Sequence, residues 1–248
     1  MTDRSQEMDE KSWWDLWNAS YRTTDDNDGT SSELFERAAA VVNGLTRAQG
    51  GHLLEVACGS GTLSRRLAFS HYHGLDISPV AIDIARQKSG RTAWPFGAAA
   101  PVYEAADFHD WPLPPRPFDI VVCVDAISCF RDQQLVLTKI ARSLRVGGHL
   151  VLTTINPFVY ERIKHSWENG PVSHWLSRDE LQTLVVSAGF TIERSYTIMP
   201  RGHLGVLRLI NSPRIDRIVG RRPATILRRF KEAVGLGQYR LVVARKEN

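Results

Sequence analysis

Cysteine is scarce in this chain. Among 248 residues there are three, Cys58, Cys123 and Cys129, and no two form a C-x-x-C pair. Such usage supplies neither a disulfide framework nor a zinc site and fits a reducing cytoplasm. Long apolar runs are missing too: none approaches the roughly 20 residues that a membrane helix needs, so no membrane partner is expected. Residues 1–11 are polar and acidic, unlike a signal peptide. Internal repeats and low-complexity tracts are absent, which excludes solenoids and linker arrays. The carboxylates of residues 23–30 lack the spacing of a calcium loop, and no metal is expected. Charge of one sign is barely in excess, with 31 Lys and Arg against 27 Asp and Glu, a net +4. The surplus sits largely in residues 201–231, which read as a solvated helical face or as a surface for an acidic partner. That segment holds no recognised nucleic-acid module.

What is present is an apolar core supply, 43% of the chain, and one telling stretch. The run Leu53-Leu54-Glu55-Val56-Ala57 passes into Cys58-Gly59-Ser60-Gly61, and residues 62–69 read as a helix with Leu63, Leu67 and Ala68 on one face. Strand, glycine turn and helix make a nucleotide-binding crossover. Glycine lets the backbone approach a ligand, and a helix start offers free N–H groups. A dinucleotide fingerprint, G-x-G-x-x-G, has a third glycine; here Ser64 stands in its place. Glu55 is also an acid for which a pyrophosphate site has no use. A ligand with a cationic amino group and no pyrophosphate fits both departures, and S-adenosylmethionine is such a ligand.

Five segments in order then resemble the class I S-adenosylmethionine-dependent methyltransferases. They are Glu55-Val-Ala-Cys-Gly-Ser-Gly61, Gly74-Leu-Asp-Ile-Ser-Pro79, Glu104-Ala-Ala-Asp-Phe108, Phe118-Asp-Ile-Val-Val-Cys123 and Leu144-Arg-Val-Gly-Gly-His-Leu150. The resemblance implies a Rossmann-like, doubly wound sheet of seven strands, mostly parallel with the last antiparallel. It implies S-adenosylmethionine as cofactor, S-adenosylhomocysteine as product, and no metal. The cofactor residues would be Glu55, Ala57, Gly59 and Gly61 in the first motif, Asp76 and Ile77 in the second, Asp107 and Phe108 in the third, and Cys123 in the fourth. Asp76 would accept from the ribose hydroxyls, a role shared with dinucleotide folds. Asp107 would accept from the adenine amino group, and Phe108 would flank the ring.

The order of elements agrees. Strands are expected at 53–57, 71–76, 102–105, 120–124, 149–155, 190–199 and 239–245, alternating with helices, as a doubly wound sheet requires. A helix at 33–43 is expected to be capped by Ser31 or Ser32 and ended by Gly44. Helices at 80–88, signalled by Ser78 and Pro79, at 132–144, closed by Val146-Gly147-Gly148, and at 178–188 follow, the last opened by the capping box Ser177 and Glu180. Residues 1–48 are expected to form a helical cap, and 49–248 the cofactor-binding domain with an insertion at about 157–177. On the first helix, Trp13, Trp17 and Tyr21 share a face with Trp14 beside them. This stripe either anchors core or walls a site for a flat, apolar acceptor. The insertion, with Tyr160, His165, Trp167, His174 and Trp175, is either a lid or packing against that helix.

A sulfonium donor is already activated, so positioning and desolvation can carry much of a methyl transfer. Asp125, Tyr160, His165 and His174 are the candidates for taking a proton from the acceptor. Asp125, Ser128 and Cys129 follow the fourth strand, where open parallel sheets place their crevice. Cys129 stands where the family often carries histidine. The substrate-side set is thus Trp13, Trp14, Trp17, Tyr21, Ser128, Cys129 and Trp175. The strand-four end reads Val124-Asp125-Ala126-Ile127, not the N/D-P-P-F/Y of amino-directed nucleobase enzymes. Segments outside the motifs are similar to bacterial stand-alone small-molecule methyltransferases, and more faintly to azapteridine N-methyltransferases of the toxoflavin type. The expected function is N- or O-methylation of a small, flat heteroaromatic secondary metabolite. The alternative is an RNA methyltransferase or RNA-binding module that uses the basic C-terminal segment.

Overall fold

The computed structural model describes residues 9–20, 29–49, 51–90, 94, 99–161, 172–200 and 221–247. The strands are β1 (His52–Val56), β2 (His71–Asp76), β3 (Val102–Ala105), β4 (Phe118–Val124), β5 (Leu144–Ile155), β6 (Phe190–Pro200) and β7 (Gly237–Lys246). The helices are α1 (Glu10–Ser20), α2 (Gly29–Gln49), α3 (Pro79–Ser89), α4 (Gln133–Ser143), α5 (Pro157–Tyr160), α6 (Arg178–Ser187) and α7 (Arg221–Ala233). The strands form one seven-stranded sheet in the order β3-β2-β1-β4-β5-β7-β6. Strands β1 to β5 pair in parallel, and β7 runs antiparallel to both β5 and β6. The expected Rossmann-like sheet, six strands one way and one reversed, is what the chain forms.

The central strands are apolar on both faces because helices cover both. On one side Leu34, Ala38, Ala39 and Val42 of α2 join Leu53, Ile120, Val122 and Val151. On the other, Val136, Leu137 and Ile140 of α4 join Leu54, Val121, Leu150 and Leu152. Burying a Val, Leu or Ile side chain is worth roughly 1.5–3 kcal/mol, so these continuous runs commit the sheet to its interior position.

Three expectations are corrected. First, α2 is longer than 33–43 and runs straight through Gly44. A glycine inside a helix costs about 1 kcal/mol, which the buried Leu34–Val42 face outweighs. Second, residues 62–69 make a single 3₁₀ turn, Ser64–Arg66, in place of a helix. The carbonyls an α-helix would use are taken by side chains. Ser64 Oγ donates to Gly61 O at 2.9 Å, Arg65 Nη1 to the same oxygen at 3.1 Å, and Arg66 Nη1 to Thr62 O at 2.7 Å. Third, α4 ends at Leu144 without help from Gly147 and Gly148, which lie inside β5. The caps at Ser78 and Ser177 form as expected, the latter as a full capping box, and Asp132 caps α4.

Glycine is required at one sheet position by close approach. A Cβ at Gly237 would sit 2.4 Å from both N and O of Ile198 on β6. Gly237→Ala is expected to force the β6–β7 ladder apart. Overpacking costs roughly 1–3 kcal/mol. A circular-dichroism melt should therefore show a midpoint lower by about 2–12 °C, and an unchanged midpoint would contradict this account of the pairing.

Candidate functional site

At the carboxyl ends of β1, β2 and β4 the chain opens a cleft of about 860 Å³, open solvent at its mouth included. That is the size of a small-ligand pocket, and the crevice lies where parallel sheets place theirs. Its floor is the turn after β1. Ala57 and Gly59 adopt φ of 59° and 51°, which exposes the backbone to the cleft. The turn is fastened to β2 through Asp76. Gly59 N donates to Asp76 Oδ2 at 2.8 Å, and Ser78 N donates to Oδ1 at 2.9 Å. Burial pushes the Asp76 carboxyl up to about 6, against the pull of these two backbone donors. The turn's second glycine serves packing: at Gly61 (φ 71°) a Cβ would lie 3.0 Å from the Tyr103 hydroxyl and 3.1 Å from Ala85.

One side wall is the loop after β3. Phe108 is buried and stacks on Trp111 at 6.2 Å, with Lys139 Nζ 5.4 Å from its ring centroid. Asp107 Oδ1 accepts from His109 N at 2.8 Å and faces His109 Nδ1 at 3.0 Å, while Arg131 Nη2 stands 3.8 Å from Oδ2. Burial works to raise the Asp107 carboxyl, but the His109 bonds and Arg131 together hold it below its ordinary value. Ile77 completes the wall.

The opposite end is made by Asp125, Ala126, Cys129 and Phe130 after β4. Asp125 has φ 55°, unusual for a residue with a side chain, and its N–H is held by Thr153 O at 3.1 Å and Thr153 Oγ1 at 3.0 Å. Burial pushes its carboxyl up to about 7, and a bond from Tyr239 opposes the shift. The Cys129 thiol is pushed up to about 12 by burial, and Cys123 is likewise raised by burial, so neither offers a thiolate at neutral pH.

Helix α1 closes the top. Glu10, Trp14, Trp17 and Asn18 face the cleft. The helix is tied down at two points. Ser78 Oγ, which also caps α3 by accepting from Ala81 N, donates to Asp15 Oδ1 at 2.5 Å. Arg131 Nε lies 3.8 Å from Glu10 Oε2.

Of the residues expected at the site, Trp14, Trp17, Ala57, Gly59, Asp76, Ile77, Asp107, Phe108, Asp125 and Cys129 line this one cleft. Others do not. Glu55 is buried under it and is held by the Tyr72 hydroxyl; burial raises its carboxyl to about 8. Cys123 is wholly buried in the strand. Ser128 is buried against Thr154, Oγ to Oγ1 2.9 Å. Trp13 does not line the cleft but stacks on Trp17 at 5.3 Å. Tyr160 and Trp175 pack on each other at 4.8 Å and against the sheet core, not over the cleft. His174 is exposed beside Glu180, Nε2 to Oε1 3.2 Å. Tyr21, His165 and Trp167 lie outside the described residues. Reasoning from sequence missed Glu10, Asn18, His109 and Phe130. The first two were available: Glu10, Trp14, Trp17 and Asn18 fall at i, i+4, i+7 and i+8. Among the described residues no group of three or more His, Cys, Asp or Glu converges to hold a metal, and no helix is long and apolar enough to cross a membrane.

Comparison with known proteins places this geometry. Residues 54–152 match a family described as "Methyltransferase domain". An O-methyltransferase, cnsE, of Penicillium expansum is 29% identical over 160 residues, 60% of this chain and 55% of its own length. The chain spans about half the length of the curated relatives it matches, 55%, 43% and 49% for three of them. Among solved structures, the CcbJ methyltransferase of Streptomyces caelestis aligns with a TM-score of 0.67 at 16% identity, covering 97% of this chain and all of that one. Magnesium protoporphyrin IX methyltransferase of Synechocystis PCC 6803, solved with bound SAM, aligns at a TM-score of 0.61 and 16% identity over 96% of this chain and 93% of that one.

Glu55 also sets a pH dependence of stability. Its folded carboxyl titrates near 8, above the ordinary 4.5. Between these values the folded chain holds a proton that the unfolded chain releases, so stability falls as pH rises through the window. Glu55→Gln should flatten this slope and melt several degrees above the unaltered protein at pH 8, with ~2–4 °C expected per kcal/mol. Parallel slopes in melts from pH 5 to 8 would refute the protonated Glu55. Residues 54–152 match the methyltransferase-domain family, and the strand order and cleft position agree with that match.

Proposed function

We propose that this protein transfers a methyl group from S-adenosylmethionine to an oxygen or nitrogen of a small, flat heteroaromatic acceptor. The observation that carries the reading is the single cleft in which the Gly59 turn, Asp76 and the Asp107–Phe108 wall meet at the strand ends. The residues present fit the donor. Asp76 can accept from a ribose diol while keeping its two backbone donors, because each carboxylate oxygen has a second lone pair. Ile77 and Phe108 supply apolar faces for a flat base, and the exposed Ala57–Gly59 backbone admits the amino-acid tail. When bound, the group supplies a methyl already activated on a sulfonium.

What this chain adds is placement and proton handling. Trp14 and Trp17 wall the acceptor end and exclude water. Asp125, anchored through Thr153, lines that end with a carboxyl near 7, the range in which a base works best at neutral pH. The O-methyltransferase among the relatives supports an oxygen acceptor. Nitrogen acceptors, azapteridines included, belong in the same substrate screen. A nucleic-acid substrate is less supported, because Arg228 on the basic C-terminal helix is spent internally on Glu33 and on Glu232, the latter at 3.5 Å.

Isothermal titration should detect S-adenosylhomocysteine and not NAD. Asp76→Ala should weaken that binding about ten- to a hundredfold, the loss of hydrogen bonds to a charged acceptor. Unchanged affinity in a folded variant would remove Asp76 from the site.

Asp125 is tested by the pH profile once a screen yields an acceptor. As a base it must be ionised, so kcat/KM should rise with pH below about 7 and level off above it. Asp125→Asn should lower the plateau by roughly 10²–10⁴ and abolish the limb. A variant that keeps both would show that positioning alone suffices.

A further inference from the structure

Helix α7 presents its faces in reverse. An amphipathic helix on a sheet ordinarily sends its apolar row inward and its charges outward. Here charged groups face the protein. Lys231 is buried, and Arg228 pairs with Glu33 of α2 and with Glu232. Glu232 Oε1 also meets Arg37 Nη2 at 3.3 Å and accepts from Met199 N of β6 at 3.3 Å. The Glu232 carbonyl accepts from Thr197 Oγ1 at 2.6 Å. The outward row is apolar. Ile226 and Phe230 of the helix, and Val234 just past its end, follow at steps of four and are 69%, 62% and 52% exposed. Rolling α7 over to hide them would break the bonds that Arg228 and Glu232 make to α2 and β6, so the row stays outside.

The row is set in positive charge. α7 carries five Lys and Arg against one Glu, a surplus of four that equals the net charge of the whole chain. Arg229, beside Phe230, is exposed with the row. We propose that this face of α7 docks on an anionic lipid surface, with Ile226 and Phe230 entering the acyl boundary and Arg229 meeting the headgroups. A short apolar row with cations along it is the chemistry of an interfacial helix, and it needs no membrane-spanning run. A second protein fits less well, because three side chains in one row cover well under the roughly 800 Å² per partner of a stable interface. RNA would use the arginines and leave Ile226 and Val234 idle. The row also ends on the cleft's side of the sheet. Val234 precedes Gly235, whose carbonyl accepts from Asn156 Nδ2 at 2.9 Å directly after β5, at the carboxyl edge where the cleft opens. Docking therefore brings that edge towards the lipid, and it is independent of the methyl-transfer reading.

The test is flotation of the full chain with lipid vesicles. The unaltered protein should float with vesicles of equal parts phosphatidylcholine and phosphatidylglycerol, far less with phosphatidylcholine alone, and should be released as salt rises. Phe230→Ser should weaken binding about tenfold or more, the loss of a buried aromatic side chain. Adding Ile226→Ser should leave little. Arg229→Gln should weaken binding to the anionic vesicles severalfold. All three positions are exposed, so thermal melts of the variants should match that of the unaltered chain and confirm that the fold is kept. Lipid docking is overturned if the unaltered chain fails to float, or if the folded serine variants float as well as it does. It is also overturned by a dimer in size-exclusion chromatography that Phe230→Ser dissolves, which would give the row to a second copy of the chain.

Discussion

The cleft depends on Asp76. Its carboxylate joins the turn after β1 to the start of α3, through Gly59 N and Ser78 N, at the tips of two neighbouring strands. Gly59 adopts a left-handed backbone to bring that N–H round, a conformation that glycine takes with least strain. Ser78 extends the junction outward, because the hydroxyl that caps α3 also holds Asp15 of α1. One carboxylate thus sets floor, wall and roof against each other. Its cost is visible as a raised proton affinity, the result of keeping a charge in a dry place.

Two acids in the cleft show how burial and bonding divide the chemistry. Asp107 is held below its ordinary value by the His109 bonds and Arg131, so it stays a charged acceptor. Asp125 has the Tyr239 bond set against deep burial and stays near neutrality in its titration, so it can exchange a proton. The difference lies in neighbours, not in residue type.

The fold was largely legible because its signals are local. Apolar runs bounded by turns gave the strands, and Ser78, Asp132 and Ser177 marked helix starts. What failed was whatever long contacts decide. Nothing near Gly44 announces that α2 continues, since the reason is the buried face against the sheet. The 62–69 helix was lost to Ser64 and two arginines folding back on the loop carbonyls. At the site, strand-end motifs put most of the residues expected on the cofactor side along the cleft, because register fixes where a strand ends. The aromatic stripe was read one position round the helix: the cleft face is Glu10, Trp14, Trp17 and Asn18, with Trp13 stacked behind. Aromatic content alone could not separate a lid from core packing for Tyr160 and Trp175, which pack on the sheet.

The placement of β7 has a consequence for how the chain matures. Residues 237–246 are synthesised after β6 yet lie between β5 and β6 in the sheet. Until they emerge, β5 shows an open edge and β6 has no neighbour among the described strands. Such an edge invites pairing with another nascent chain. The same late strand delivers Tyr239 to Asp125. A ribosome-bound chain short of this strand can hold the glycine turn and its clamp, while its Asp125 end stays unfinished. Assembly of the two ends of the cleft is therefore staggered in time, the glycine turn first.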